Sequence, residues 1–257
     1  MAGEHRPSTI TVSPDRKVCC PLEVKCYEVD SAKRLKPAAF MDMAQEMAYQ
    51  AAAVMHFGYD ELITRNMAWV LSRLHFRFLE APHWGDRLEI RTWHRGAFGP
   101  FFVRDFEVLG EDGRRVIEAT SSWVVIDVES RTMARPEEVL PSEDTACHDA
   151  AIETPSGKVV MPRGVEPEYA GTHKVAYSDI DLVGHANNAR YVSWAMDCLD
   201  DGNAGLEAEE VEIVFHHEAR PGDEISLYRA EESGASYVEG RREGAQVFCV
   251  KIRSNCK

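Results

Sequence analysis

Hydrophobic and polar positions along the chain divide it into two similar series of elements. Apolar residues at helical spacing within 37–57 predict a long helix that ends before Gly58; they are Phe40, Met43, Ala44, Met47, Ala51 and Val54. Alternating, β-rich stretches then predict strands near 69–79, 86–95, 101–110 and 115–127. The second series predicts a strand near 172–178, a helix near 188–199 and strands near 210–217, 223–230, 235–242 and 246–253. A helix followed by an antiparallel meander, twice, predicts an α+β protein.

The two series are related by constant offsets, which indicates an internal repeat. Asp30 and Phe40 lie 151 residues before Asp181 and Tyr191 (181 minus 30). The Gly-Asp turn that begins at Gly85 lies 137 residues before its counterpart (222 minus 85). The first copy therefore carries 14 extra residues between its helix and its second strand (151 minus 137). We expect an N-terminal domain over 1–134, a Pro-, Glu- and Ser-rich linker over 135–168 and a C-terminal domain over 169–257.

Composition and charge narrow the classes of partner. The 257 residues are 44% hydrophobic, which is enough for two small domains with cores. A net charge of −14 argues against nucleic-acid or anionic-membrane partners, and no apolar run is long enough to span a membrane. The N-terminus lacks the apolar core of a signal peptide. The seven cysteines form no C-x-x-C pair or zinc-ligand spacing, so we expect free thiols in a cytoplasmic protein without a metal site.

The segment from Ser178 to Tyr191 places two acids, a glycine, a histidine and two asparagines before a helix start. The carboxylate of Asp181 is suited to act on water or on a carbonyl carbon, and His185 to orient water or supply a proton near neutral pH. Backbone N–H groups at the helix start offer a positive dipole end to an oxyanion. The alternative is a polar turn in which Asn187 and Asn188 only cap the helix.

The first copy repeats the predicted structure but lacks the polar set. It has Arg34 at the position of His185 and Lys36 at the position of Asn187. A further candidate base, Glu218 at a strand end, corresponds to Ala81. This difference favours chemistry in the second copy and a scaffolding role for the first.

The stretch Asp-x-Asp-x-x-Gly-His-x-Asn-Asn-x-x-Tyr over 179–191 resembles the hot-dog thioesterase signature. The tandem halves, with Trp69 to Arg73 opening the first meander, resemble acyl-ACP thioesterases (ACP, acyl carrier protein) over roughly 20–253. The resemblance implies a double hot-dog fold, with two antiparallel sheets each wrapped around a long central helix and the halves packed as a pseudo-dimer. It implies that Asp181, His185 and Glu218 are the catalytic residues.

The same resemblance implies release of free fatty acids from acyl-ACP to end chain elongation, without a metal or another cofactor. The expected partner is acyl carrier protein, docked by arginines such as Arg73, Arg77, Arg91 or Arg95, and a homodimer is left open. Met43 and Met47 are either core residues or a flexible wall for the acyl chain. The residues expected to bind substrate are Asn187, Asn188, Met43, Met47, Trp69 and Arg73.

Two departures from the family pattern leave alternatives open. Val183 stands where many members have Asn, and Ala219 stands where plant relatives often have Cys. No G-x-S-x-G nucleophile elbow is present in the sequence. The alternatives are an acyl-CoA thioesterase on the same fold, a non-catalytic acyl-binding protein, and a dehydratase.

Overall fold

The computed structural model describes residues 10–135, 139, 146–199 and 206–255. Its first half contains β1 (Thr11–Val12), β2 (Val18–Glu23), α1 (Pro37–Val54), α2 (Tyr59–Ile63), β3 (Met67–Phe78), β4 (Arg87–Phe98), β5 (Phe101–Gly110) and β6 (Arg115–Asp127). Its second half contains β7 (Glu168–Lys174), α3 (Asn188–Leu199), β8 (Glu207–Phe215), β9 (Glu224–Glu232), β10 (Ala235–Arg242) and β11 (Ala245–Asn255). The α+β class and both long helices are confirmed.

Two details of the chain differ from the predicted elements. The strand expected near 172–178 ends at Lys174, and Tyr177–Asp179 form a 3₁₀ turn. The strands β1 and β2 and the helix α2 carry no clear periodic signal in the sequence. The polar N-terminus up to residue 9, the linker positions 136–138 and 140–145, and Cys256 lie outside the described residues.

The eleven strands of the described residues form one antiparallel sheet in the order β1-β2-β4-β5-β6-β3-β8-β11-β10-β9-β7. The two halves join where β3 pairs with β8, with Leu74 opposite Ile213 and Phe76 opposite Val211. The expectation of two separate sheets is therefore corrected to one continuous sheet. The physical reason is that each of these strands is the edge of its own half, and pairing satisfies backbone groups that an open edge would leave without partners.

Both long helices pack on one face of this sheet, which we call the inner face, and they contact each other. Phe40 of α1 is fully buried, and its ring centroid lies 5.0 Å from that of Phe76 on β3. Tyr191, its counterpart on α3, lies 5.1 Å from Phe248 on β11. Equivalent helix positions thus anchor each half with an aromatic contact, since these rings bury the most apolar area.

Backbone hydrogen bonds confirm both offsets of the repeat. The N–H of Gly85 donates to the carbonyl of Val24 at 3.0 Å, and the N–H of Gly222 donates to that of Val175 at 2.9 Å. Both glycines have φ of 88°, a left-handed conformation that glycine adopts without strain. Val24 and Val175 differ by 151 residues and the glycines by 137, so the first copy has its extra residues between these points.

Residues 146–161, which we call the strap, run across the outer face of the sheet. The Trp93 indole N–H donates to the carbonyl of Asp149 at 2.8 Å, and the backbone N–H of Ala151 donates to the Asp105 carboxylate at 2.8 Å. Further along, Val159 is buried against Val214. Part of the expected linker is therefore packed structure. Small apolar residues among its polar ones allow this packing; they are Ala146, Cys147, Ala151, Ile152 and Val159.

Asp105, which binds the strap through Ala151, is expected to make the stability of the protein depend on pH. Burial raises the pKa of this carboxyl group from 3.8 to about 6, although Thr120, Ala151 and Arg95 oppose the shift. A group whose pKa is raised on folding contributes stability below its unfolded pKa and loses it as the pH rises through the folded pKa. We therefore expect the free energy of unfolding to fall between about pH 4 and pH 6. Asp105→Asn should flatten this part of the profile in urea titrations at several pH values.

The exposed Asp60 provides the matched control, because Asp60→Asn should keep the wild-type slope over the same pH range. A slope that is unchanged in Asp105→Asn would contradict the assignment.

The composition also predicted free thiols and no membrane-spanning helix. The six described cysteines are free, and burial raises the pKa of Cys249 to about 12. Among the described helices, none is long and apolar enough to cross a membrane.

Candidate active site

A cavity of about 1340 Å³ lies on the inner face and is lined by both halves of the chain. The second half contributes residues of the segment before α3 and of the turn after β8. The first half contributes one side of α1 and parts of β3 to β6. The second half places its ionisable groups here, namely Asp181, His185, His216, His217, Glu218, Arg220 and Arg242.

The extra residues of the first copy build much of the apolar wall. The helix α1 has 18 residues and α3 has 12, and α2 follows α1. Tyr49, Ala52 and Phe57 from this extension line the cavity. The Phe57 ring contacts Trp69 edge to face at 6.2 Å, and Trp69 contacts Phe102 at 4.9 Å. The first half therefore supplies a pocket suited to an apolar ligand.

His185 and Glu218 meet at this cavity, as their predicted shared role requires. The His185 Nδ1 atom lies 3.2 Å from Glu218 Oε2, and both side chains are about 30% exposed (28% and 32%). Burial tends to raise the pKa of Glu218, but Arg220, His185 and Arg131 outweigh it and hold this pKa below its usual value. Glu218 is therefore ionised near neutral pH, and its carboxylate faces the imidazole of His185.

Two arginines that the sequence reasoning did not single out hold Glu218. Arg220 donates to Glu218 Oε1 at 2.6 Å, and Arg131 lies 3.6 Å from the same oxygen. Arg220 stands two residues from Glu218, so proximity in sequence is a usable signal. Arg131 comes from the turn after β6 in the first half, where no sequence pattern points to the site.

Asp181 lines the same cavity but is held by backbone groups and not by the His185 side chain. Its Oδ1 atom accepts a hydrogen bond from the N–H of Val183 at 3.0 Å, and its own N–H donates to the His185 carbonyl at 3.0 Å. The Val183 side chain is 53% exposed. The departure from Asn at this position thus leaves intact the contact that orients Asp181, because any residue except proline supplies that N–H.

The two asparagines have different surroundings. Asn187 caps α3, since its Oδ1 atom accepts a hydrogen bond from the Ala189 N–H at 2.8 Å. The N–H of Arg190 bonds the Asn187 carbonyl, so two donors at the helix start are already occupied. Asn188 donates to Gln45 Oε1 of α1 at 3.5 Å, which links the two halves at the cavity.

The first acid of the motif, Asp179, has a structural environment. Its carboxylate accepts hydrogen bonds from the Ala176 N–H at 2.8 Å, from His173 at 2.9 Å and from the Trp194 indole at 3.3 Å. Burial opposes ionisation, but the hydrogen bonds from Ala176 and His173 outweigh it and lower the pKa of Asp179. This residue fixes the loop against α3.

Three residues expected to bind substrate lie away from the cavity lining. Met47 is 4% exposed in the main core, and Met43 packs against that core. The cavity side of α1 carries Gln45, Ala48 and other residues instead. Arg73 points to the outer face, where it stacks on Phe101 and donates to the carbonyl of Ser156 in the strap at 3.3 Å. Trp69, Asn187 and Asn188 do line the cavity.

The other arginines expected to dock a carrier protein also lie on the outer face with partners. Arg77 donates to Glu210 at 2.8 Å, Arg91 to Glu89 at 2.6 Å, and Arg95 to the carbonyl of Ile152 at 3.1 Å.

In the first half, an ion-pair network occupies the position of the candidate site. Arg34, which replaces His185, lies 2.8 Å from Asp30 and 3.2 Å from Glu207 across the two halves. The counterpart of Asp181 is thus neutralised by a cation. The Asp30 carboxylate, paired in this way, is not available as a base. This agrees with a scaffolding role for the first half.

One group of described residues has the geometry to hold a metal ion. The candidate ligand atoms of His75, Glu210 and Glu212 lie within 4.8 Å of one another on the outer face. His75 bonds Glu210 at 2.7 Å, and Lys251 pairs with Glu212. Because the chain's own cations neutralise these carboxylates, we assign them to sheet stability.

Tyr191, the last residue of the signature, supports the turn that carries Glu218. Its hydroxyl accepts a hydrogen bond from the buried N–H of Ala219 at 3.0 Å. Burial, together with Glu218 and Asp181, raises the pKa of Tyr191 to about 12. Tyr191→Phe should leave that N–H without an acceptor and lower the free energy of unfolding by about 1–3 kcal/mol in urea titrations.

Tyr177 is 97% exposed and gives the control, since Tyr177→Phe should leave the urea midpoint unchanged. Equal stability of the two variants would contradict the support role of the Tyr191 hydroxyl.

Two helix-on-sheet units that share one sheet and one cavity make this a tandem hot-dog protein. Residues 20–142 match the model of the acyl-ACP thioesterase N-terminal domain, and residues 165–253 match that of the C-terminal domain. Because these two matches together span most of the chain, it belongs to the acyl-ACP thioesterase family.

Relatives and solved structures give the same family. The chain is 26% identical over 201 residues to a chloroplastic dodecanoyl-ACP hydrolase of Cinnamomum camphora, covering 69% of this chain and 50% of that protein. It is 25% identical over 232 residues to an oleoyl-ACP thioesterase of Arabidopsis thaliana, covering 79% and 60%. The chain thus spans about half the length of the curated relatives it matches.

Among solved structures, an acyl-ACP thioesterase from Bacteroides thetaiotaomicron superposes with a TM-score of 0.83 at 26% identity, covering 93% of this chain and 98% of that one. A 12:0-ACP thioesterase from Umbellularia californica gives 0.82 at 20% identity, with 94% and 98% covered, and shows the fold alone.

Proposed function

We propose that this chain hydrolyses fatty acyl thioesters carried by acyl carrier protein and releases free fatty acid, which ends chain elongation. The observation that carries the proposal is the His185–Glu218 pair at the wall of a cavity with apolar sides. Family membership supports the substrate class, because the relatives are named for hydrolysis of acyl-ACP. The second half acts as the catalytic unit and the first as the pocket.

The arrangement of groups supports a water-attack mechanism. In the tautomer whose Nδ1–H faces the ionised Glu218, Nε2 is the acceptor nitrogen of the imidazole. Nε2 takes a proton from water as the water oxygen attacks the thioester carbonyl carbon. The C–S bond then breaks, and the imidazolium returns the proton to the leaving thiolate. The electron pair of the broken bond leaves with sulfur, so the products are an acid and a thiol.

We assign Asp181 to hold the attacking water. Its carboxylate is fixed by the Val183 N–H and lines the cavity, so it presents an acceptor without rearrangement. Glu218 remains ionised beside Arg220 and stabilises the imidazolium that forms.

We propose the same three-part division of the chain that the sequence predicts, except that the strap packs on the sheet. Residues 1–134 form the pocket half, 135–168 the connection and 169–257 the catalytic half. The strap belongs structurally to the sheet, since it hydrogen-bonds β4 and β5. It positions the connection between the halves on the face opposite the cavity.

Thiol release by the purified protein from matched acyl-ACP and acyl-CoA series of increasing chain length tests the proposal. We expect preferential hydrolysis of long acyl-ACP. Hydrolysis of CoA esters alone would keep the chemistry and overturn the carrier assignment. The net charge of −14 is the reason to include these esters, because carrier proteins are acidic and like charges slow encounter. Bound acyl chains without thiol release would overturn the enzymatic assignment in favour of an acyl-binding protein.

A further inference from the structure

An arginine side chain is buried in the pocket half, on the inner face of the sheet. Arg104 of β5 is 6% exposed and lines the cavity. Its NH1 atom donates to Thr92 Oγ1 at 3.2 Å. No ion pair joins it to a carboxylate within the described part of the chain, whereas Arg95 on the outer face pairs with Asp105.

Arg104 lies opposite Ser121 of β6, and aromatic side chains line the cavity around it. Its cross-strand neighbour on β4 is His94, which is also buried and contacts the Phe57 ring edge to face at 5.6 Å. Phe102, two residues earlier on β5, contacts Trp69. The guanidinium thus lies within the pocket that the first half builds, whereas the catalytic pair is supplied by the second half.

Burial lowers the pKa of Arg104 to about 10, so the group still carries its charge near neutral pH. A guanidinium has five N–H donors and no acceptor, and Thr92 uses one of them. A buried donor without an acceptor is costly, and a buried unpaired charge more so. A plain hydrocarbon tail that fills this pocket displaces water and offers the guanidinium nothing in return.

We propose that Arg104 is a specificity-determining residue that binds an acceptor oxygen on the distal part of the acyl chain, so that this protein prefers oxygenated acyl chains. The inference rests on the proposed function, because it names a subclass of acyl thioester. The shared chemistry is a hydrogen-bond acceptor, which a terminal hydroxyl, keto or carboxylate group provides. A carboxylate pairs with the guanidinium most strongly, since two parallel N–H···O bonds form.

The test compares kcat/KM for pantetheine thioesters of increasing length, each with a plain, an ω-hydroxyl and an ω-carboxyl terminus. We expect the wild-type protein to prefer the oxygenated esters by about 10-fold or more, since sites built for a hydrogen bond reject ligands that lack it. The preference should appear only at lengths whose terminus reaches Arg104. It should disappear or invert in Arg104→Met, and Arg104→Lys should retain part of it.

Arg115→Met is the matched control, because Arg115 of β6 lies outside the cavity lining and is bonded to Glu107. This variant should keep the wild-type selectivity. A folding role for Arg104 would change the urea midpoint without changing the ratio of rates for oxygenated and plain esters. Equal preference in wild type and Arg104→Met at every length would overturn the inference.

Binding separates this inference from the proposed function. Trp69 and Trp123 line the cavity, so their fluorescence reports acyl amides that cannot be hydrolysed. Tighter binding of ω-hydroxyacyl than plain acyl amides, lost in Arg104→Met, supports the subsite even if no thiol is released from any ester. Thiol release without any such preference would keep the proposed function and overturn the subsite.

Discussion

Replacing His185 with alanine is expected to lower kcat/KM for acyl thioesters by about 10²–10⁴-fold, the usual cost of losing a general acid–base group. The imidazole is the group that both accepts the proton of water and returns it to the thiolate. It is 28% exposed, so its loss leaves the core unchanged and the protein folded. Initial rates of thiol release, with circular dichroism to verify folding, measure the effect.

His83→Ala is the control, since this exposed histidine belongs to the first half. It should retain wild-type turnover. A His185→Ala protein with near-normal rates would remove this residue from the catalytic set and shift the proton transfers elsewhere.

Asp181→Asn is expected to lower turnover by a similar factor, about 10²–10⁴-fold. The amide keeps the size of the side chain and its contact with the Val183 N–H through the amide oxygen, but it loses the negative charge that holds water for attack. Stability should therefore change little while kcat falls. Rates measured under saturating substrate separate this loss from weaker binding.

The internal repeat offers a matched control for this variant. Asp30 occupies the equivalent position in the first half, where it pairs with Arg34. Asp30→Asn should keep wild-type turnover and cost only the modest stability of a partly exposed ion pair. Equal loss of turnover in both variants would show that the effect is structural and not catalytic.

Local periodicity predicted the elements that build the two units. The spacing of Phe40, Ala44, Met47 and Ala51 places α1 on the sheet, and all four are buried in the core. The Gly-Asp turns aligned the two copies because glycine is needed at their positive φ. These features are encoded within short windows, so a single sequence carries them.

Long-range pairing was beyond such patterns. The pairing of β3 with β8 depends on which edge strands meet, and alternation in each strand is the same whether or not they pair. The strap appears as a linker in composition, and its packing depends on the distant Trp93 and Asp105. The repeat offsets revealed the 14 extra residues of the first copy. That these residues form a wall of the pocket became clear only from the contact between Phe57 and Trp69.

Some residues of the candidate site could be predicted from the sequence and others could not. Residue type and position indicated His185 and Glu218, and the fold brings these two side chains within 3.2 Å of each other. Arg131 and Arg104 had no local signal, because their importance comes from neighbours supplied by other strands. Met43 and Met47 show the limit of helical spacing, since it identifies a buried side but does not say which part of that side meets the cavity.

The most direct test of the central claim compares thiol release from one long-chain acyl-ACP by the wild-type protein and by Glu218→Gln. Glu218 orients His185 and stabilises its charged form, so the account predicts thiol release by the wild type and a rate lower by about 10²-fold or more in the variant. Equal rates for the two folded proteins, or no release by the wild type, would contradict the claim that this pair hydrolyses acyl thioesters.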